Sequence, residues 1–219
     1  MNIIEKRKII ILLAIVLIAV ILMGAVYALI FFGYFEKRSI RELEGNAQAQ
    51  IFIESLKRIE KKPYRQWNAG DYLDLGNIYN NLQLYEKASF FYKKAAFNYG
   101  RSNIALINLA NTEVLLGNFK KAEIYYLTSL DADSRQPELY IKLAELYQRS
   151  WRGKIFDSVS ILQKGLASNK EHPNILISLA QYYQETGNRL EAIKYFKRSL
   201  MSYPDNQAVK DEIARLEAF

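Results

Sequence analysis

The feature that most constrains this chain is a pattern that returns every 34 to 36 residues through its C-terminal two-thirds. The segments beginning at Leu75, Leu109, Leu143 and Leu179 read Leu-Gly-Asn-Ile-Tyr, Leu-Ala-Asn-Thr-Glu, Leu-Ala-Glu-Leu-Tyr and Leu-Ala-Gln-Tyr-Tyr, and their starts are separated by 34, 34 and 36 residues. A second pattern follows each first one. Ala88 leads to Tyr92 and Ala95, Ala122 to Tyr126 and Ser129, Ser158 to Leu162 and Gly165, and Ala192 to Phe196 and Ser199. Apolar residues recur at helical spacing throughout. Small residues at these offsets allow one helix to approach another closely. Each unit therefore reads as two antiparallel helices. Gly117-Asn118 and Gly187-Asn188 mark turns within units, and Pro137, Pro173 and Pro204 mark boundaries between them. A repeat of this period folds as stacked copies of one supersecondary unit, because a single copy cannot bury its apolar face alone. A non-repetitive helical bundle would not keep four units in phase.

The residues carrying the pattern resemble the tetratricopeptide repeat family, from about Trp67 to Pro204. The first unit is nearest to the family pattern, with Leu75, Gly76, Tyr79, Tyr85, Ala88, Tyr92 and Ala95. Two departures stand out: Glu113 holds a place usually given to an aromatic, and Gln83 stands where later units have Gly117 and Gly187. The resemblance implies an all-α solenoid of helix pairs, with the first helix of each pair lining a concave face that holds an extended peptide or a partner's helix. It points to Asn77, Asn108, Asn111, Lys142, Glu145, Ser178 and Gln181 as groove-facing. Some family members clamp the C-terminal carboxylate of chaperones. Asn77, Asn108 and Lys142 match part of that clamp, but Leu73 and Glu138 occupy two of its basic places.

The N-terminal third carries a different signal. From Ile9 to Phe35 there is no charged residue, a run long enough to cross a hydrocarbon layer that needs roughly 20 helical residues. Tyr27 and Tyr34 near one end and Lys6, Arg7 and Lys8 at the other suit interfacial positions. The run is longer than the apolar core of a cleaved signal peptide, and no small-residue cleavage site follows it. The expectation is a single-pass protein of a bacterial cytoplasmic membrane with its repeats in the periplasm, although the basic residues flanking the run are balanced. Residues 1–35 are then tail and anchor, 36–66 a juxtamembrane helical stalk, 67–204 four repeats, and 205–219 a capping helix. The stalk helix, Ser39 to Lys61, would place Ile40, Leu43, Ala47, Ile51, Leu56 and Ile59 roughly on one side.

Composition narrows the chemistry. The chain has no Cys, so disulfides, thiolate catalysis and most zinc sites are excluded. The net charge is +7, but Glu5 to Lys8 supplies +2 and Glu36 to Lys62 another +2, leaving +3 on the repeats with no basic stripe for nucleic acid. The basic residues near the apolar run could touch anionic lipid. The lone histidine, His172, precedes Pro173 at a repeat boundary and reads as a solvated loop residue. Asp131 and Asp133 follow a helix end, where turn Asp is common. No nucleophile motif or phosphate loop is present, so neither an enzyme nor a cofactor is expected. The expected function is a membrane-tethered scaffold or assembly factor of an envelope complex, with other proteins as partners. The alternative is a membrane-tethered chaperone or translocon accessory receiving client polypeptides. Gly24 and Ala28 form a small-residue pair through which the anchor would self-associate. The third repeat carries two extra residues, since Leu143 to Ser158 spans 15 positions where the other units use 13. Trp151 lies in that insertion, either as a secondary partner contact or folded back between its two helices.

Overall fold

The computed structural model describes residues 13–18, 21–23, 47–98, 102–151, 154 and 156–218. The chain forms two compact units, Met1–Lys61 and Lys62–Phe219.

In the first unit, residues 13–18 and 21–23 are helical and exposed. No helix among the described residues is long and apolar enough to cross a membrane. This corrects the expected single-pass membrane location, for which no described helix supplies the roughly 20 apolar residues that a span requires. The rest of that run, with Gly24, Ala28 and the flanking basic residues, lies outside the described residues. Helix α1 covers Ala47–Glu60. It buries Ala49, Ile53, Leu56 and Ile59 and leaves Ile51 64% exposed. Leu56 and Ile59 lie on the buried side as expected, while Ile51 points away from the face that Ala49, Ile53 and Leu56 set at i, i+4, i+7 spacing. Ile40 and Leu43 fall outside the described residues.

The second unit is a series of antiparallel helix pairs. Following a short 3₁₀ turn at Tyr64–Gln66, α2 (Ala69–Asn81) pairs with α3 (Tyr85–Phe97), and α4 (Asn103–Leu115) with α5 (Phe119–Ala132). Helix α6 (Pro137–Glu145) pairs with α7 (Asp157–Asn169), and α8 (Pro173–Glu185) with α9 (Arg189–Leu200). Helix α10 (Gln207–Glu217) follows and packs on α9. Local chemistry starts these helices where they start. Asn68 and Asp71 form a reciprocal capping box on α2, in which each side chain accepts the other's backbone N–H. Pro137 and Pro173 occupy first-turn positions of α6 and α8, where their missing N–H costs nothing.

The turns inside the first, second and fourth pairs are one motif used three times. Leu84, Asn118 and Asn188 donate backbone N–H bonds five residues back, to Tyr79, Glu113 and Tyr183, over 2.7–2.8 Å. The residue before each has positive φ: Gln83 at 59°, Gly117 at 73° and Gly187 at 79°. A left-handed residue is what lets a helix end in this way, and glycine adopts it without a Cβ penalty. Gln83 meets the same backbone demand with a side chain. Replacing Gln83 with glycine is therefore expected to stabilise the chain, by about 0.5–1 kcal/mol and a few degrees in Tm, measured by thermal denaturation.

The third pair solves its turn differently. Leu146–Ser150 continues α6 as a π-helical stretch, and Trp151 donates to the Leu146 carbonyl at 2.9 Å. Wider π turns hold more residues per turn. The insertion legible between Leu143 and Ser158 begins as this widening.

The core runs along the stack. Tyr72, Ala95, Ala96, Ala105 and Leu106 form one cluster, followed by one around Tyr126, Leu139, Tyr140 and Leu143, and one around Leu162, Ile175, Leu179 and Phe196. The small residues at the second pattern, Ala88, Ala122, Ser158 and Ala192, are 0% exposed. Each buried Leu or Ile contributes about 1.5–3 kcal/mol of hydrophobic stabilisation. At the far end, Val209 and Ile213 of α10 join the last cluster, and Lys210, Asp211 and Arg215 face solvent. The outer face of α10 is polar, as the terminal repeats of a solenoid are.

Candidate protein-binding face

The first helices of the pairs form a row. Helix α2 is bonded to α4 through Asn108 Nδ2 to Asn77 Oδ1 (3.2 Å) and Thr112 Oγ1 to Asn80 Oδ1 (3.4 Å). Helix α6 packs against α8, and Gln184 of α8 donates to Glu212 of α10. Two registers of side chains recur along this row. One holds Asn77, Asn111, Glu145 and Gln181, and the other Asp74, Asn108, Lys142 and Ser178. All seven residues expected in a groove stand in these registers. Asp74, exposed on α2, completes the second register and was not among them.

The seven do not have equal freedom. Asn77 Oδ1 accepts both the Asn108 amide and the Tyr92 hydroxyl, the latter at 2.9 Å. Asn111 Oδ1 accepts from Tyr126 at 2.6 Å. Ser178 donates to the Asn174 carbonyl of its own helix. These asparagines give buried tyrosine hydroxyls a partner. Burial pushes the Tyr92 and Tyr126 hydroxyls up to about 12, with the Glu145 charge adding to the effect at Tyr126. Lys142, Glu145 and Gln181 are exposed and have no bonded partner among the described residues. In the third and fourth units the tyrosine is replaced by Leu162 and Phe196, so Glu145 and Gln181 have no hydroxyl to serve.

Two hollows open on the row. One, of about 340 Å³, lies between α4 and α6 and is walled by Asn111, Leu115, Tyr126, Lys142, Glu145 and Arg149. The other, of about 420 Å³, lies between α8 and α10 and includes Gln181, Gln184 and Glu212. Arg149, 34 residues after Leu115, was not among the residues expected in the groove. Leu73, at a basic place of the chaperone-tail clamp, packs against the first core cluster.

Glu113 is 4% exposed at the position held by Tyr79, Tyr147 and Tyr183 in the other units. It accepts from Ser89 of α3 at 2.6 Å and Asn118 at 2.8 Å, with Lys121 Nζ at 4.0 Å. A carboxylate so supplied with donors can be buried where an aromatic would otherwise sit.

Trp151 is half-buried and packs on the second core cluster, edge-on to Tyr147 with ring centroids 6.4 Å apart. Lys154 Nζ lies 5.1 Å from the Trp151 ring centre and 5.2 Å from that of Tyr147, and is bonded to Glu123 at 2.7 Å. Tyr147 donates to the same carboxylate at 2.5 Å. Burial, then this bond, pushes the Tyr147 hydroxyl well above its usual range. The side chains of the insertion are thereby tied to α5. Trp151→Ala is expected to lower stability by about 2 kcal/mol, since a half-buried ring loses part of the 3–5 kcal/mol of a fully buried one. Denaturant titration reads this.

His172 is half-buried at the start of α8, not a freely solvated loop residue, and its Nδ1 is buried without a bonded partner among the described residues. No group of three or more His, Asp or Glu placed to hold a metal occurs among the described residues.

Stacked helix pairs with a row of polar first-helix side chains define an all-α solenoid. The tetratricopeptide repeat family model matches residues 72–96, 105–136 and 173–206. The third pair, with its π-helical turn, falls between the matched segments. No curated protein sequence gives a significant match. Solved structures share the fold. The chain is similar to MamA at 20% identity and a TM-score of 0.56, covering 75% of this chain and 89% of that one. It is similar to YrrB, described as a TPR protein with an unusual peptide-binding site, at 16% identity and a TM-score of 0.54, covering 79% and 87%. The C-terminal part of a TPR repeat-containing protein from Cytophaga hutchinsonii aligns with a TM-score of 0.66 at 17% identity, covering 83% and 70%.

Proposed function

We propose that this chain is a scaffold that holds other proteins together by receiving a peptide segment or helix along the face formed by α2, α4, α6 and α8. The observation that carries this reading is the pair of hollows on that face, with the exposed and unbonded Lys142, Glu145 and Gln181 at their rims. Side chains that satisfy no internal partner keep their hydrogen-bonding capacity for an incoming backbone. The fold likeness to YrrB, whose description includes a peptide-binding site, supports the same use.

The structure also decides which substitutions test it. Asn77→Ala is a poor probe, because it would strand the Tyr92 hydroxyl at a cost of about 1–3 kcal/mol. Lys142→Glu with Gln181→Ala changes exposed groups only, and each is expected to cost under about 0.5 kcal/mol. Affinity purification of the tagged full chain from its native cells, followed by mass spectrometry, should recover stoichiometric partners with the natural sequence and lose them with the double variant. Undiminished recovery by the folded variant would rule out this face.

A further inference from the structure

The hollow between α4 and α6 has a charge pattern that selects its occupant, an inference that rests on the binding face proposed above. Lys142, Glu145 and Arg149 follow one another along α6 and its π-helical continuation. All three line the hollow, so its rim carries two cations and one carboxylate. Neither cation has an ion-pair partner among the described residues. The rest of the wall is largely apolar, from Val114, Leu115 and Leu146. Arg149 sits on the π-helical stretch, 34 residues after Leu115 on the facing wall.

We propose that this hollow is a specificity pocket for an acidic side chain, Asp or Glu, within an extended peptide segment, with an apolar neighbour of that residue resting on Leu115 and Leu146. Arg149 supplies a planar fork of donors suited to a carboxylate, and Lys142 a second positive charge. Glu145 disfavours a second acidic group at the same point and leaves the rim one positive charge in excess. The occupant is an internal residue because the hollow lies midway along the row. The polar registers continue past it on both sides, from Asn77 to Gln181, so bound chain would run in both directions.

The test uses the full-length protein and a phage-displayed library of random dodecapeptides fused to the coat protein at their C-termini, which removes free carboxylate ends. The natural sequence should enrich peptides with Asp or Glu beside an apolar residue. The variant Lys142→Gln with Arg149→Gln should select peptides without that bias. The leading acidic peptide, synthesised with an amidated end and a fluorophore, should bind the variant about tenfold or more weakly by fluorescence polarisation. Arg149→Gln alone serves if the double variant loses its helical circular dichroism. Binders without acidic bias, an acidic bias that survives in the variant, or peptides that bind only with a free C-terminus would each overturn the pocket while leaving the binding face intact. Failure to enrich any peptide would overturn the face and the pocket together.

Discussion

Between pH 10 and 12 Tyr92 and Tyr126 alone are expected to cost the repeat unit about 5 kcal/mol of stability, with Tyr147 adding to the loss. Below pH 10 the tyrosine-dependent part of the pH profile should be flat. Tyr92 and Tyr126 are 3% exposed, and burial raises each hydroxyl from the usual value near 10 to about 12. In that interval the unfolded chain gives up these protons while the folded chain keeps them. The unfolded state then binds fewer protons, so stability falls with rising pH. Each group contributes its stability fully below pH 10 and loses it as pH climbs through its folded value. A shift of this size corresponds to about 2–3 kcal/mol per tyrosine. Urea titrations across the alkaline range measure the loss, and ultraviolet absorbance reports phenolate formation directly. Tyr126→Phe should remove about half of the part of the slope that Tyr92 and Tyr126 supply. A stability that declines equally in Tyr92→Phe, Tyr126→Phe and the natural sequence would place the alkaline sensitivity elsewhere.

Gly76→Ala is expected to destabilise the first repeat by about 3 kcal/mol, at the upper end of what one added methyl does in a packed core. A Cβ at Gly76 would lie 2.4 Å from Tyr92 Cδ1 and 2.5 Å from Cε1. The ring is poorly placed to yield, since its hydroxyl is bonded to Asn77 one residue beyond Gly76. Relief requires α2 and α3 to move apart or the hydrogen bond to break. The equivalent residues Ala110, Ala144 and Ala180 already carry a methyl and are buried. The first repeat alone has committed to the closer approach. Thermal denaturation of Gly76→Ala should show a clearly lower midpoint. Tyr92→Leu in the same chain should recover part of the loss, because a smaller side chain removes the clash. An unchanged midpoint would mean that α2 and α3 tolerate a wider separation.

The register of this fold was legible because burial acts on single positions that recur: Leu75, Leu109, Leu143 and Leu179 are each at most 1% exposed. The helix starts were legible for a similar reason, since Pro137 and Pro173 act on their own backbone. What escaped was whatever joins residues far apart in sequence. Nothing local to Asn77 shows that its side chain accepts from Tyr92 and Asn108, so it read as a free groove amide. Glu113 read as a departure because Ser89, its partner, is 24 positions away. The insertion was countable, but its conversion into a π-helical stretch that carries Arg149 was not, because periodicity assumes one angle per residue. In the first unit Ile51 read as part of the apolar side of α1, but Ala49, Ile53, Leu56 and Ile59 keep helical spacing and set the face without it.

The walls of the hollow between α4 and α6 come from two successive repeats, Asn111 and Leu115 from one and Lys142 and Arg149 from the next. What such a chain can pass on by duplication or exchange is therefore not a repeat. Moving the third repeat alone would carry the two cations into a new setting and leave the apolar wall behind. On the binding role proposed above, the heritable element is the junction, residues 103–150, and chains that keep junctions whole while changing the number of repeats around them would preserve the hollow.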